Sequence, residues 1–311
     1  FRRVLFRSEV GKDITIDELR AQGYKGFYVS IGCQTGRKPG IQGQDAMGAY
    51  TAVDFLRKVD TKKNVQLEGD VLVVGGGNVA IDAARVSTRC SNGKVSMFCL
   101  EDREKMPASK EEIKEAEEES VVINNSWGPK KILTKDGKVS GVVFKKCISV
   151  FDEEGRFAPA YDENETMTVE CSNVIFSVGQ AIDWGNMLEG QRVELSPNGG
   201  VIANKLTYQT SEPDIFAGGD VYTGPKFAID AIAAGREGAV SLHRYVQEHC
   251  TLTIGRNRRD YIELDKENIN LSEYDTEKRQ TPETPDVKKQ AKTFQDLSCT
   301  FTEQQVKAEA S

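Results

Sequence analysis

An α/β fold built on parallel strands is what this sequence predicts, and three observations predict it. Residues 71–74, Val-Leu-Val-Val, form an uninterrupted aliphatic run of the kind buried on both faces of a parallel sheet, and a glycine cluster stops it abruptly. Beyond the glycines, Val79, Ala80, Ala83, Ala84 and Val86 give an apolar stripe at helical spacing. Residues 94–100 then read as a second strand, so the order is strand, tight turn, helix, strand.

The turn itself carries chemistry. Gly75 permits the tight bend, Gly77 lets the backbone approach a pyrophosphate, and Ala80 stands third in a G-x-G-x-x-G/A pattern, where a small residue lets helix and strand pack closely. The free N–H groups of the first helical turn then face the phosphates. A tight connection without a ligand is the competing reading, and the clear strand before and helix after favour the dinucleotide turn. The second strand ends at Glu101, a carboxylate placed to accept hydrogen bonds from the adenosine ribose hydroxyls. It would repel a 2′-phosphate and so favours NAD over NADP, with Arg103 and Lys105 keeping the alternative open. The plainer reading of Glu101 is a solvated charge at a strand end.

Taken from the start, residues 1–8 are basic and apolar without assignable periodicity, and the first residue is Phe. Thr15 and Glu18 stand at capping-box spacing and open a short helix. Residues 26–32 read as a strand, 33–40 as a loop and 49–59 as a helix. After Glu101, residues 110–120 suit an exposed helix with Ile113 and Ala116 buried, and 121–124 suit a strand. Residues 135–138 form a turn into a strand over 139–150, with 167–176 returning, which suggests an inserted antiparallel sheet.

Residues 174–179 echo 27–32, each an apolar strand followed by Ser, an aliphatic residue and Gly. We read the pair as the two places where the chain passes between domains; coincidence between two buried strands is the alternative. A strand over 213–217 ends in Gly218-Gly219-Asp220, an arrangement that admits a ligand against the backbone beside a carboxylate. Pro225 suits the first position of a helix running to about His249, whose N-terminal N–H groups would stabilise negative charge on a reduced flavin.

With 311 residues and a net charge of −7 the chain is long enough for two domains and lacks the basic footprint of a nucleic-acid binder. No apolar run approaches a bilayer span. The seven cysteines are scattered, without a C-x-x-C pair, and read as reduced thiols of a cytoplasmic protein with no iron–sulfur ligand set of its own. His243 and His249 read as solvated side chains, and we nominate no metal ligand, catalytic acid, base or nucleophile.

The run from Gly75 to Arg85, Met106-Pro-Ala, Phe216-Ala-Gly-Gly-Asp220 and the stretch from Ala228 to Arg236 together resemble the glutamate synthase small (beta) subunit and, more broadly, FAD-dependent pyridine nucleotide oxidoreductases that feed iron–sulfur proteins. The resemblance covers roughly residues 10–247. It implies two Rossmann-like domains, with an NAD(P) domain over 65–176 inserted in a discontinuous FAD domain over 1–64 and 177–250, and a polar extension or linker over 251–311. It also implies a cofactor-binding set: Gly75, Gly76, Gly77, Asn78, Val79, Ala80, Glu101 and Arg103 for the nicotinamide nucleotide, and Gly179, Gly219, Asp220, Phe227, Ala228 and Ile229 for FAD.

Hydride would pass from NADH to flavin, and electrons onward to iron–sulfur centres or a larger catalytic subunit. Many members end the second strand with paired arginines for NADPH; Leu100 and Glu101 stand there here, which again points to NADH. The family's first FAD fingerprint is not in the sequence, so we expect a fragment of a longer protein, with any iron–sulfur centre elsewhere in the parent. Residues 251–311 are polar and charge-rich, with Pro282 and Pro285 between Gln280 and Asp286, and read as an extended strap or linker, in which Thr302 with Gln305 forms a capping box that opens a helix. The competing function is a flavin-free NAD-binding or structural module without redox activity.

Overall fold

The structure, a computed structural model, describes residues 7–62, 64–256, 265, 268, 279–283, 286–297 and 299–310. Two compact units divide the chain: residues 1–36 with 179–261, and residues 37–178 with 262–311. In the first unit, α1 (Ile16–Ala21) is opened by the expected capping box. The Glu18 N–H donates to Thr15 Oγ1 at 3.1 Å, and the Thr15 N–H donates to Glu18 Oε2 at 2.8 Å. The strand expected over 26–32 is the short β1 (Phe27–Val29), and the loop after it holds a two-residue strand, β2 (Thr35–Gly36).

The chain then enters the second unit. Ala49–Thr51, expected as the start of a helix, forms β3, and α2 (Ala52–Thr61) begins only where Thr51 Oγ1 accepts the Asp54 N–H at 3.2 Å. The central elements stand as read: β4 (Val71–Val74), α3 (Asn78–Cys90), β5 (Val95–Phe98), α4 (Lys110–Glu118) with Ile113 and Ala116 buried, and β6 (Val122–Asn124). Three strands follow as an antiparallel sheet: β7 (Trp127–Lys135), β8 (Lys138–Phe151) and β9 (Phe157–Glu170). The strand expected over 167–176 is thus two: β9 ends at Glu170, the chain turns, and β10 (Asn173–Phe176) enters the parallel sheet.

That sheet runs β3-β10-β4-β5-β6, every pairing parallel. The partner of β3 lies far along the chain, so β3 and α2 pack with this sheet, and the two compact units divide between residues 36 and 37. Alternation along β4 explains why it is buried throughout. Val71 and Val73 pack against α2 and α3 with Phe55, Ile81 and Ala84, while Leu72 and Val74 pack against the antiparallel sheet with Val142 and Phe144. The Phe98 and Phe144 rings stack 4.0 Å apart. Helices therefore cover one face and a second sheet the other, with each large apolar side chain so buried contributing about 1.5–3 kcal/mol.

An ion cluster closes the helical side. Glu119, with a side chain 2% exposed, accepts from Arg89 at 2.7 and 2.9 Å and from Arg85 at 2.8 Å. Burial raises the Glu119 carboxyl, but the Arg89 and Arg85 hydrogen bonds outweigh it and hold the group below the ordinary carboxylate range.

Back in the first unit, β11 (Gln180–Ala181) pairs antiparallel with β2, and β12 (Ile215–Ala217) pairs parallel with β1. A short helix, α5 (Asp220–Thr223), ends at Gly224, where φ is +75°. The long helix α6 (Ala228–Tyr245) then starts from Phe227, not from Pro225, and stops before His249. Pro225 falls instead in the turn between the helices. Ile16, Val29, Ile215, Ala217 and Val221 form this unit's core.

Of the polar extension, residues 257–264, 284–285 and others lie outside the described residues, as do residues 1–6. The described part includes α7 (Val287–Gln290) and α8 (Glu303–Glu309), the latter opened by the expected Thr302 and Gln305 box. Between them, the Thr293 carbonyl accepts the Arg89 Nε–H at 2.8 Å, and Phe294 lines a hollow beside Leu56, Val59 and Val86.

Candidate functional site

Gly75 continues β4 by one hydrogen bond, its N–H donating to Phe98 O at 2.9 Å, and then turns with φ of +146°. A Cβ there would strike the Ser177 backbone, so only glycine fits. The next residues are clamped from outside the turn. Gly76 O accepts the Ala108 N–H at 3.1 Å and Asn78 Oδ1 accepts the Ser109 N–H at 3.0 Å, which gives Met106-Pro-Ala its structural purpose. Gly77 caps α3 without any side chain, and a Cβ on it would meet nothing within 4 Å. No acidic residue stands in the first turn of this thirteen-residue helix. Its positive end and unpaired N–H groups therefore face open space, the condition for anion binding.

A cleft of about 560 Å³ opens there, lined by Gly75, Gly76, Gly77, Leu100, Glu101, Pro107, Ser177 and Val178 on the turn side. Arg37 and Lys38 line it as well. Glu101 is half-buried, and burial pushes its carboxyl above the ordinary carboxylate range. A Cβ on Gly76 would come within 2.7 Å of Glu101 Oε2, so glycine at 76 makes room for that carboxylate. The backbone of Glu101 is fixed by Ser126, whose N–H donates to its carbonyl at 3.0 Å.

Arg103 is elsewhere: its Nη2 donates to Glu117 at 2.7 Å, and it is not a cleft residue. Lys105 likewise pairs with Asp102 at 2.8 Å. Ala80 is fully buried and Val79 partly so, serving the helix–sheet contact. Cleft residues that the sequence reading missed include, besides Arg37 and Lys38, six from the antiparallel sheet: Trp127, Pro129, Lys145, Phe157, Pro159 and Tyr161. Their only sequence signal is the period-two pattern Phe157-x-Pro159-x-Tyr161.

The other expected residues lie in the first unit. Gly219 turns with φ of +73°, and Asp220 Oδ1 accepts the Lys226 N–H at 3.3 Å. Phe227 and Ile229 are 71% and 69% exposed at the start of α6, which has no side-chain cap, and Gly179 is exposed with φ of +111°. Cys99 and Cys171 are buried thiols pushed up to about 12, inert rather than nucleophilic.

The sequence profile of the pyridine nucleotide-disulphide oxidoreductases matches residues 7–235. The chain belongs to this family. Like the glutamate synthase small subunits it was expected to resemble, it aligns with the small chain of glutamate synthase [NADPH] of Escherichia coli, 32% identical over 77% of this chain and 54% of that one. The NADP(+)-dependent formate dehydrogenase subunit beta of Moorella thermoacetica is also 32% identical, over 78% of this chain and 35% of the relative. The chain thus spans only 35% to 54% of the length of these relatives. Mycobacterium tuberculosis FprA in complex with NADPH shares the fold, with a TM-score of 0.60 at 18% identity over 76% of this chain and 67% of that one. The family name invokes a disulfide, but Cys90, Cys99, Cys147, Cys171, Cys250 and Cys299 are free thiols.

Proposed function

We propose that this chain is the nicotinamide-nucleotide-binding part of a flavin-dependent oxidoreductase that takes hydride from NADH and passes electrons to iron–sulfur centres or a partner subunit in the cytoplasm. The observation that carries the reading is the open positive end of α3 at Gly77, with Glu101 beside it in one cleft. The α3 N–H groups bind the pyrophosphate, Gly77 lets it approach the backbone, and Glu101 accepts the adenosine ribose hydroxyls. A half-buried carboxylate there disfavours a 2′-phosphate, and Arg103 and Lys105, the cations next to it in sequence, are paired to Glu117 and Asp102, while Arg37, Lys38 and Lys145 line the cleft. This supports NADH, although the two relatives named above carry NADPH or NADP(+) in their names.

In the first unit, Gly219 and Asp220 would hold the FAD ribityl chain, and the backbone from Phe227 to Ile229, with Gly179, would meet the flavin. The uncapped start of α6 and the half-buried carboxylate turn fit that group. When bound, FAD supplies two-electron acceptance and one-electron release. The chain's own contribution is orientation and a positive helix end that favours negative charge. Among the described residues no helix is long and apolar enough to cross a membrane.

The test is an anaerobic visible spectrum of the protein reconstituted with FAD, desalted and titrated with NADH. Retained flavin bands that bleach support the oxidoreductase reading. NADH binding without retained flavin would reduce the proposal, for this chain, to its nucleotide half.

A further inference from the structure

The cleft's second wall differs in kind from the glycine turn. Phe157, Pro159 and Tyr161 of β9, in a stretch where the register with β8 is irregular, line the cleft together with Trp127 and Pro129 of β7. Phe157 is 66% exposed, although the chain has a core in which an aromatic ring could be buried. Cations cover one face of two of the rings: Lys145 Nζ, paired with Glu163 at 2.8 Å, lies 3.9 Å from the Tyr161 centroid, and Lys146 Nζ lies 4.8 Å from that of Trp127. The wall therefore suits a flat, uncharged aromatic group.

Hydrogen bonds set where this wall stands relative to Glu101. The Trp127 N–H donates to Cys99 O at 2.8 Å and the Ser126 N–H to Glu101 O at 3.0 Å, so β7 begins beside the strand end that carries the carboxylate. At Gly128 a Cβ would come within 2.9 Å of Leu100 and 2.5 Å of Tyr161, so glycine there lets β9 close on that strand end. In any adenosine the base is bonded directly to the ribose. A ribose held by Glu101 places its base within one ring's width, at this wall.

We propose that Trp127, Phe157 and Tyr161 form the adenine subsite of the cleft, holding the purine by stacking. The inference rests on the nucleotide reading of the glycine turn and adds to it the group that sets affinity for the adenosine half. Aromatic stacking on a base strengthens binding by roughly fivefold to a hundredfold per ring.

The sequence has two tryptophans, so Trp184→Phe leaves Trp127 as the sole indole reporter. This protein is titrated with ADP-ribose, which has the adenine, and with nicotinamide mononucleotide, which lacks it, following fluorescence and heat together. ADP-ribose should quench Trp127 saturably and nicotinamide mononucleotide should not. Phe157→Ala should weaken ADP-ribose about tenfold, with Phe157→Leu intermediate; the exposed position leaves the fold intact. Binding of ADP-ribose by heat with no change in Trp127 fluorescence and equal affinity in Phe157→Ala would overturn the subsite and leave the nucleotide reading standing. Absence of heat from both NADH and ADP-ribose would overturn the two together.

Discussion

Replacing Glu119 by Gln tests what holds α3 against α4, and through α3 what holds the glycine turn. Three charged hydrogen bonds meet on this carboxylate, two from Arg89 and one from Arg85, and the arginine side chains are 10% and 19% exposed. Gln keeps the size but removes the charge, and one of its terminal atoms becomes a donor facing donors. Breaking a buried pair from one side costs about 3–5 kcal/mol. Arg85 also reaches Glu115, which offsets part of the loss, so about 3 kcal/mol is expected.

In urea, with a slope of about 2–3 kcal/mol per molar, that is a midpoint lowered by about 1–1.5 M. The Trp184→Phe background makes Trp127 report on the second unit alone, which avoids treating two units as one transition. Glu115→Gln, at a carboxylate whose side chain is 51% exposed, serves as the control and should move the midpoint little. Because Glu119 is held below the ordinary range, its contribution is complete above about pH 4.5 and disappears as pH falls through its folded value. The gap between parent and Glu119→Gln should close over that interval. Equal shifts for Glu119→Gln and Glu115→Gln, or a gap constant down to strongly acid pH, would refute the argument.

Three further outcomes follow from the cleft. Glu101→Arg should shift the ratio of NADPH to NADH affinity by at least about tenfold toward NADPH, since it replaces repulsion of the 2′-phosphate by attraction; unchanged relative affinities would remove Glu101 from the ribose site. Gly77→Val should weaken NADH binding more than about tenfold while leaving thermal stability nearly unchanged, because its side chain enters space that is open without ligand; full affinity in that variant would move the phosphates elsewhere. Discrimination against NADPH should diminish as pH falls through the Glu101 titration, which burial places above the ordinary carboxylate range, and Glu101→Gln should lose that component of the pH profile.

What was legible in the sequence was local. β4, its glycine turn and α3 are each specified by neighbours within a few residues, and so are the two capping boxes at Thr15 and Thr302. What was missed depends on partners far along the chain. Ala49–Thr51 is a strand only because β10 offers an edge more than a hundred residues later. β7 and β9 carry Pro129 and Pro159 and many polar residues, a pattern that reads as loop until both are seen flanking β8 at the sheet's edges, where proline is tolerated. Pro225 suits the start of a helix by its own chemistry, but Gly224 ends α5 just before it and the chain needs three more residues to turn. For the site, Glu101 could be found by its distance from the glycines. Trp127, Phe157 and Tyr161 could not, because the register of three strands brings them to the cleft.

The contact between Arg89 and Thr293 is made to a carbonyl, and every amino acid has one. The C-terminal segment is thus moored to α3 by a feature that leaves no trace in residue identity at position 293. Side chains there are free to drift, while the mooring depends on the guanidinium at the far end. Two chains with this attachment could share no recognisable residues in the segment and still lay it along the same helix.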